Sequence, residues 1–357
     1  MANDLGSRSL TLVILEGSFL ALLNIFSLIG NVLVCLSVHR NPRLRISTNL
    51  YIIALAISDL LSAVFVMPLA EVILFSGRWP FGETICQFHA FISLFVIYVS
   101  PATMSLTAIN RYVRICRSTT SYNKIFSRRK SRFWLAFVWF FVACYIGVPR
   151  LANWQGFEFV PGYAQCSIKH LGENAKLIHY AIVLTLFLVI PLIATAFCYT
   201  KVLKKIRQHN LAFLPSRRRS ESRISVQEIK LSRSLFIIVF TFLSCWVPLW
   251  IIVILRRFFI AHIPRNVELL GMFFLYISNT INPAIYAGMN SVFRSEFHRI
   301  ITCTPSGLVT ASESLQGQNV QEGLELGNQS RAELHHADET AASICSLAEA
   351  KPRQMGQ

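Results

Sequence analysis

Negative charge is what this sequence has least of. Asp and Glu number 18 against 34 Lys and Arg in 357 residues, and all charged residues together make up 15 % of the chain. A soluble domain carries roughly 25 % charge, so a water-facing globular fold is excluded. Metal-binding signals are also missing: there is no His-Glu-x-x-His, the nine His are scattered, and no ligand cluster stands at metal spacing. That removes the metallohydrolases, and without any intramembrane hydrolase motif the chain is read as no enzyme. A formal net charge of +16 raises nucleic acid as a partner, yet no zinc array or aromatic RNA platform accompanies it. Inverted repeats and charge-lined paths, the marks of a transporter, are equally lacking.

Long apolar stretches are what remains. Apolar residues are 54 % of the chain, and a bilayer core of roughly 30 Å takes about 20 of them per helical crossing. Seven runs meet that need: Leu10 to Val38, Leu50 to Leu74, Phe88 to Val113, Phe133 to Val148, Ile178 to Val202, Leu231 to Leu255 and Val267 to Met289. Packed into a soluble core, such runs would leave almost no polar surface for water. Basic loops stay cytoplasmic. With the amino terminus outside and the tail inside, the inner loops hold most of the Lys and Arg, including the run Arg217 to Arg219. That basic third loop is read as this topology signal together with attraction to anionic inner-leaflet lipid, nucleic acid being the poorer alternative.

The expected architecture is an all-α membrane protein. Residues 1–9 form a short extracellular segment, too short and polar for a cleavable signal, so the first span serves as its own insertion signal. Residues 10–290 form a seven-helix bundle. Over 291–303, Phe293, Phe297, Ile300 and Ile301 recur at helical spacing, with Arg294, Glu296, His298 and Arg299 opposite them, which predicts an amphipathic helix on the inner membrane surface. Cys303 follows directly and is read as a palmitoylation site or, equally, a free thiol. Residues 304–357 are rich in Gly, Ser, Gln and Glu and are expected to be a disordered cytoplasmic tail with Ser and Thr open to kinases. The sequon Asn328-Gln329-Ser330 falls on the cytoplasmic side, out of reach of glycosylation.

Polar groups inside hydrocarbon cost free energy unless they face a protected interior, so each marks function by default. Asn31, Asp59, Ser100, Asn110-Arg111, Asn279 and Asn282 are such groups. Around them stand Gly30-Asn31, Leu55-Ala56-Ile57-Ser58-Asp59, Asn110-Arg111-Tyr112, Trp139, Pro191 with Tyr199, Cys245-Trp246-Val247-Pro248 and Asn282-Pro283-Ala284-Ile285-Tyr286, in order on the seven spans. As a set they resemble the rhodopsin-like G protein-coupled receptors, over residues 10 to 302. The resemblance implies a multi-pass plasma-membrane receptor that passes an extracellular signal to a heterotrimeric G protein, with arrestin and receptor kinases as partners of the tail. A receptor-shaped partner protein that does not itself couple is the alternative, and a transporter a more distant one.

The family pattern assigns roles to particular residues. It implies a disulfide between Cys86 and Cys166; the 25 residues from Cys86 to Arg111 span about 37 Å of helix, which agrees with one end outside and one inside. Arg111 resembles the switch arginine, between Asn110 and Tyr112, and Glu228 stands where some members hold it by an ion pair, the other reading being a solvated acid. Tyr199, Asn282, Pro283 and Tyr286 complete the activation set. Asp59, Ser100, Asn279 and Asn282 resemble the mid-membrane sodium pocket, a set of oxygens that suits a hard cation; no other cofactor is expected. Trp246, two residues before the kink expected at Pro248, resembles the toggle beneath the ligand, or serves packing alone.

Two subclasses are excluded by absences. No acid occurs from Gln87 to Asn110, and Ser93 stands at the amine counter-ion position; no Lys occurs from Val267 to Asn290, and Tyr276 stands at the retinal position. Locally, Ser37-Val38-His39-Arg40-Asn41, Ala108-Ile109-Asn110-Arg111-Tyr112, Tyr122-Asn123-Lys124 and Asn290 to Ile301 are similar to the melatonin receptors. The chain departs from them at Pro283, usually Ala, and at Arg150, Phe187 and His170, where those receptors hold melatonin with Asn, His and Gln. Ser93, Ile97, Trp246, Trp250, Met272 and Tyr276 are expected to line the pocket, which suits a small neutral or weakly polar ligand. Glu71, Arg150, Glu268 and His170 are read as an outer vestibule or as solvated rim charges.

Overall fold

A computed structural model of the chain describes residues 5–211, 226–260 and 263–302, the side chains of Arg43, 209–211 and 226–235 excepted. Each apolar run forms a helix, and each helix outruns its apolar core at one or both ends. The first is Leu10–Arg40, the second Asn49–Ser76, the third Gly82–Cys116 and the fourth Arg128–Leu151. The fifth joins Glu173–Val183 and Ile190–Leu211 through a π turn at Leu184–Val189; the sixth, Val226–Ile254, continues into a π turn at Leu255–Phe259; the seventh is Arg265–Met289. Hydroxyls cap the starts: Ser9 Oγ accepts from the Leu12 amide at 3.4 Å and Ser127 Oγ from that of Lys130 at 3.5 Å, satisfying amides that have no partner one turn back. Among the described residues six of these helices are long and apolar enough to cross a membrane; the seventh, with Arg265, Glu268, Asn279 and Asn282, is less apolar.

Which side of each helix faces inward follows from its small and polar residues. On the first helix Leu20, Ser27, Asn31, Val34 and Val38 are buried, while Leu15, Leu22, Ile25, Phe26 and Ile29 stand exposed. Exposed apolar side chains in such numbers are a liability in water and the ordinary state against lipid. The third helix is the central one, packed against the second, fourth and fifth helices and against both strands described below.

Proline explains the polar contacts of the interior. Pro283 has no amide hydrogen, so the Asn279 carbonyl loses its partner four residues on. Asn31 Nδ2 donates to that carbonyl at 3.0 Å, and Ser27 Oγ lies 3.4 Å from it. The first helix comes this close at Gly30, where a Cβ would fall 2.8 Å from Pro283 Cγ.

Two strands have no counterpart in the sequence reading. Gln155–Val160, here β1, pairs antiparallel with Gln165–His170, β2, from Gln155 opposite His170 to Val160 opposite Gln165. The turn Pro161–Tyr163 joins them, and Ala164 takes a left-handed φ of 50°. A short inner helix, Thr119–Phe126, follows the third, and Ser291–Ile301 forms the expected amphipathic helix. Its apolar face is narrower than expected: Phe293 and Phe297 are buried, Ile301 is 68 % exposed, and Glu296, expected on the wet face, is buried and accepts from Asn41 and Arg299 at 2.9 and 2.8 Å. Cys303 and 304–357 lie outside the described residues.

Candidate functional site

A pocket lies between the third, fifth, sixth and seventh helices, at the end of the bundle that carries Cys86; its space of about 600 Å³ includes volume open to solvent. The β1–β2 hairpin is its roof, contributing Tyr163, Gln165, Ser167 and Ile168 to the lining. Among the contacts that hold the roof are three ties. The Cys86–Cys166 disulfide ties β2 to the first turns of the third helix, with Cα atoms 5.5 Å apart. His89 adds a second tie: its Nδ1 accepts from the Cys166 amide at 3.3 Å, which leaves Nε2 as the donor to the Val66 carbonyl at 3.3 Å. The third is at the turn, where Arg256 of the sixth helix pairs with the buried Glu268 of the seventh and lies over the Tyr163 ring, 4.9 Å from its centroid. Gly162 fits against this pair; a Cβ there would fall 1.4 Å from Glu268 Oε2. Burial pushes the Tyr163 phenol up to about 12, so it stays neutral.

Of the six pocket residues expected from sequence, Ile97, Trp250 and Met272 line this cavity. Trp246 lines a second, largely apolar pocket between the third, fifth and sixth helices, with Trp250 shared between the two. It stacks on Phe242 at 4.7 Å and donates from Nε1 to Ser278 Oγ at 3.2 Å. Ser93 and Tyr276 line neither. Ser93 sits behind the wall and donates to Gln165 Oε1 at 2.8 Å, so it braces the roof, and Tyr276 is buried among the helices. The residues that sequence reasoning missed are the roof itself, Tyr98, His179, Tyr180 and Arg257. Aromatic density at 179–180 was a usable signal; the hairpin had none, since nothing in its sequence says that it folds inward.

The expected vestibule does not exist as one site. Glu71 accepts from Asn24 at 2.9 Å, Arg150 donates to Gln87 Oε1 at 2.9 Å, Glu268 holds Arg256, and the His170 ring packs 5.2 Å from that of His179. Burial first, then Arg257 and Lys176, push the His170 imidazole down to about 4, so it is neutral at physiological pH. His179 Nδ1 accepts from Gln155 Nε2 at 3.2 Å, a bond that requires the neutral ring.

Below the cavity a polar layer crosses the bundle. Asp59 is 2 % exposed and accepts at Oδ2 from Asn282 Nδ2 at 3.0 Å, with no cation paired to it among the described residues. Ser58 Oγ and Ser100 Oγ meet at 3.4 Å. That contact links the second and third helices within this layer, and Ser58 also donates to the Leu55 carbonyl at 2.8 Å. Asn279 differs: its carbonyl is taken by Asn31, and its Nδ2 has no hydrogen-bond partner.

At the opposite end of the third helix Arg111 is fully buried. Asn110 Nδ2 donates to Tyr122 OH of the short inner helix at 3.3 Å, and Tyr112 meets Phe197 edge to face at 5.9 Å. Tyr199 and Tyr286 are buried on the fifth and seventh helices; the Tyr286 ring stacks on Phe293 at 5.5 Å. Glu228 lies in the first turn of the sixth helix, and its side chain is outside the described residues.

Comparison with known proteins agrees with this geometry. The model of the "7 transmembrane receptor (rhodopsin family)" matches residues 30–286. Mouse melatonin receptor type 1A is 27 % identical over 315 residues, covering 85 % of this chain and 86 % of its own length. Melatonin receptor type 1C of Xenopus laevis is 28 % identical over 310 residues, covering 84 % and 70 %. Among solved structures, squid rhodopsin superposes with a TM-score of 0.70 at 21 % identity over 85 % of this chain and 90 % of that one, a likeness of fold.

Proposed function

Because the chain belongs to the rhodopsin family of seven-transmembrane receptors, we propose that it converts the binding of an extracellular small molecule into activation of a heterotrimeric G protein. Members of the family are receptors and not enzymes, and they span the plasma membrane. The observation that carries the reading is vertical continuity. A roofed pocket stands over Trp246 and the sixth helix, which carries Pro248, and buried polar residues lie between there and Arg111.

In this reading the amino terminus is outside and the basic loops are inside. A ligand moves the outer part of the sixth helix, and the inner end swings away from Arg111 so that the G protein docks beside Tyr199 and Tyr286. Asp59, Ser100, Asn279 and Asn282 would hold a sodium ion in the resting state, and Glu228 would pair with Arg111 there. The tail would serve kinases and arrestin, and Cys303 would take a palmitoyl chain. The relatives' name makes melatonin the first ligand to try. Phe187 is stacked on Tyr98 at 4.7 Å and Arg150 is bonded to Gln87, so neither offers melatonin the polar contact that His and Asn would.

The test is G-protein dissociation in cells that express the chain, with and without melatonin and related indoles, beside Arg111→Ala. A response or a basal signal that Arg111→Ala removes is the expected result. Silence in every condition, with the chain at the cell surface, would count against coupling and favour a non-coupling partner protein.

A further inference from the structure

We propose that the outer cavity takes an organic anion, a small aromatic carboxylate whose charged end meets the guanidinium of Arg257. This rests on the receptor reading and names the ligand class that the reading leaves open. The neutral ligand expected from sequence followed from a lining without charge. Arg257 is the one charged side chain in the lining among the described residues.

Its possible counter-ions are engaged elsewhere. Glu268, the nearest acid, is paired with Arg256, so two guanidiniums share one carboxylate. Glu158 pairs with Lys169 at 3.3 Å on the hairpin, Glu173 with Lys176 at 3.1 Å, and Glu71 with Asn24. Arg257 Nε is buried without a hydrogen-bond partner, and the guanidinium lies 5.5 Å from the Tyr180 ring centroid. That ring attracts a cation without neutralising it. A half-buried guanidinium that shares one carboxylate with Arg256 has room for a further anion, and a carboxylate matches the planar fork with two parallel hydrogen bonds.

The π turn at Leu255–Phe259 sets up this division of labour: two successive arginines address different partners, Arg256 the roof latch and Arg257 the cavity. Such turns recur at functional sites. Tyr98, Tyr180 and Trp250 give the remaining wall flat apolar faces, which select an aromatic body.

The experiment uses the full chain purified in detergent, with benzoate and phenylacetate as probes beside benzamide and phenylacetamide. Each is added at about 10 mM, above the millimolar affinity of a fragment, and thermal unfolding is followed, since a ligand of the native state raises the midpoint. The acids should raise it and the amides should not. Arg257→Gln should abolish the acid effect and Arg257→Lys keep part of it; Lys169→Gln, which removes an exposed cation on the hairpin, should keep all of it. Arg257→Met is the second neutral variant should the Gln form fail to fold. Acids without effect, amides that match them, or an acid effect that survives loss of the guanidinium each overturn the proposal. The receptor reading fails separately: an Arg257-dependent acid shift in a chain that never dissociates a G protein keeps the anion site and removes the coupling.

Discussion

At the scale of single residues, a missing hydrogen often matters more than a side chain. Pro283 leaves the Asn279 carbonyl bare, and Asn31 supplies the donor from another helix. Replacing Asn31 with Ala should leave a buried carbonyl short of its best partner, at a cost of about 1–3 kcal/mol. The unfolding midpoint of the purified chain measures it; an unchanged midpoint would mean that the Ser27 hydroxyl, 3.4 Å away, suffices alone. Both partners were legible in the sequence as polar groups in apolar runs, but not their pairing, because that depends on which carbonyl the proline frees. Ser93 shows the reverse case. Its position suggested ligand contact, yet its hydroxyl is used up on Gln165 of a hairpin the sequence did not announce.

Among elements, the helices were legible and the hairpin was not, for one physical reason. A helix that crosses lipid must be apolar for about 20 residues, a signal of composition, whereas a short hairpin over a cavity draws its order from what it touches. The π turns escaped for a related cause: an apolar run has the same composition whether its turns are α or π. The hairpin's fit to the bundle is tightest at Gly162. Gly162→Val should displace Glu268 or lift the turn, at about 1–3 kcal/mol of overpacking. In a chain that also carries Glu268→Ala the same change should cost less, by an amount that a double-mutant cycle on unfolding midpoints gives directly. Strict additivity of the two would mean that the turn and Glu268 do not meet in solution.

For the molecule as a whole, the orientation rests on its basic loops. A glycosylation sequon fused ahead of Met1 should be modified in mammalian cells and shift in mass on glycosidase treatment, while Asn328 should stay bare. Modification of Asn328 with a bare amino terminus would invert the topology. The roof has a further consequence, in time instead of affinity. A ligand that leaves past a hairpin fastened by a disulfide, by His89 and by the Arg256–Glu268 latch must wait for that hairpin to move. Departure is therefore paced by the protein's own opening, and residence can outlast what the contacts alone would set. A brief pulse of ligand would then be remembered for as long as the latch stays shut.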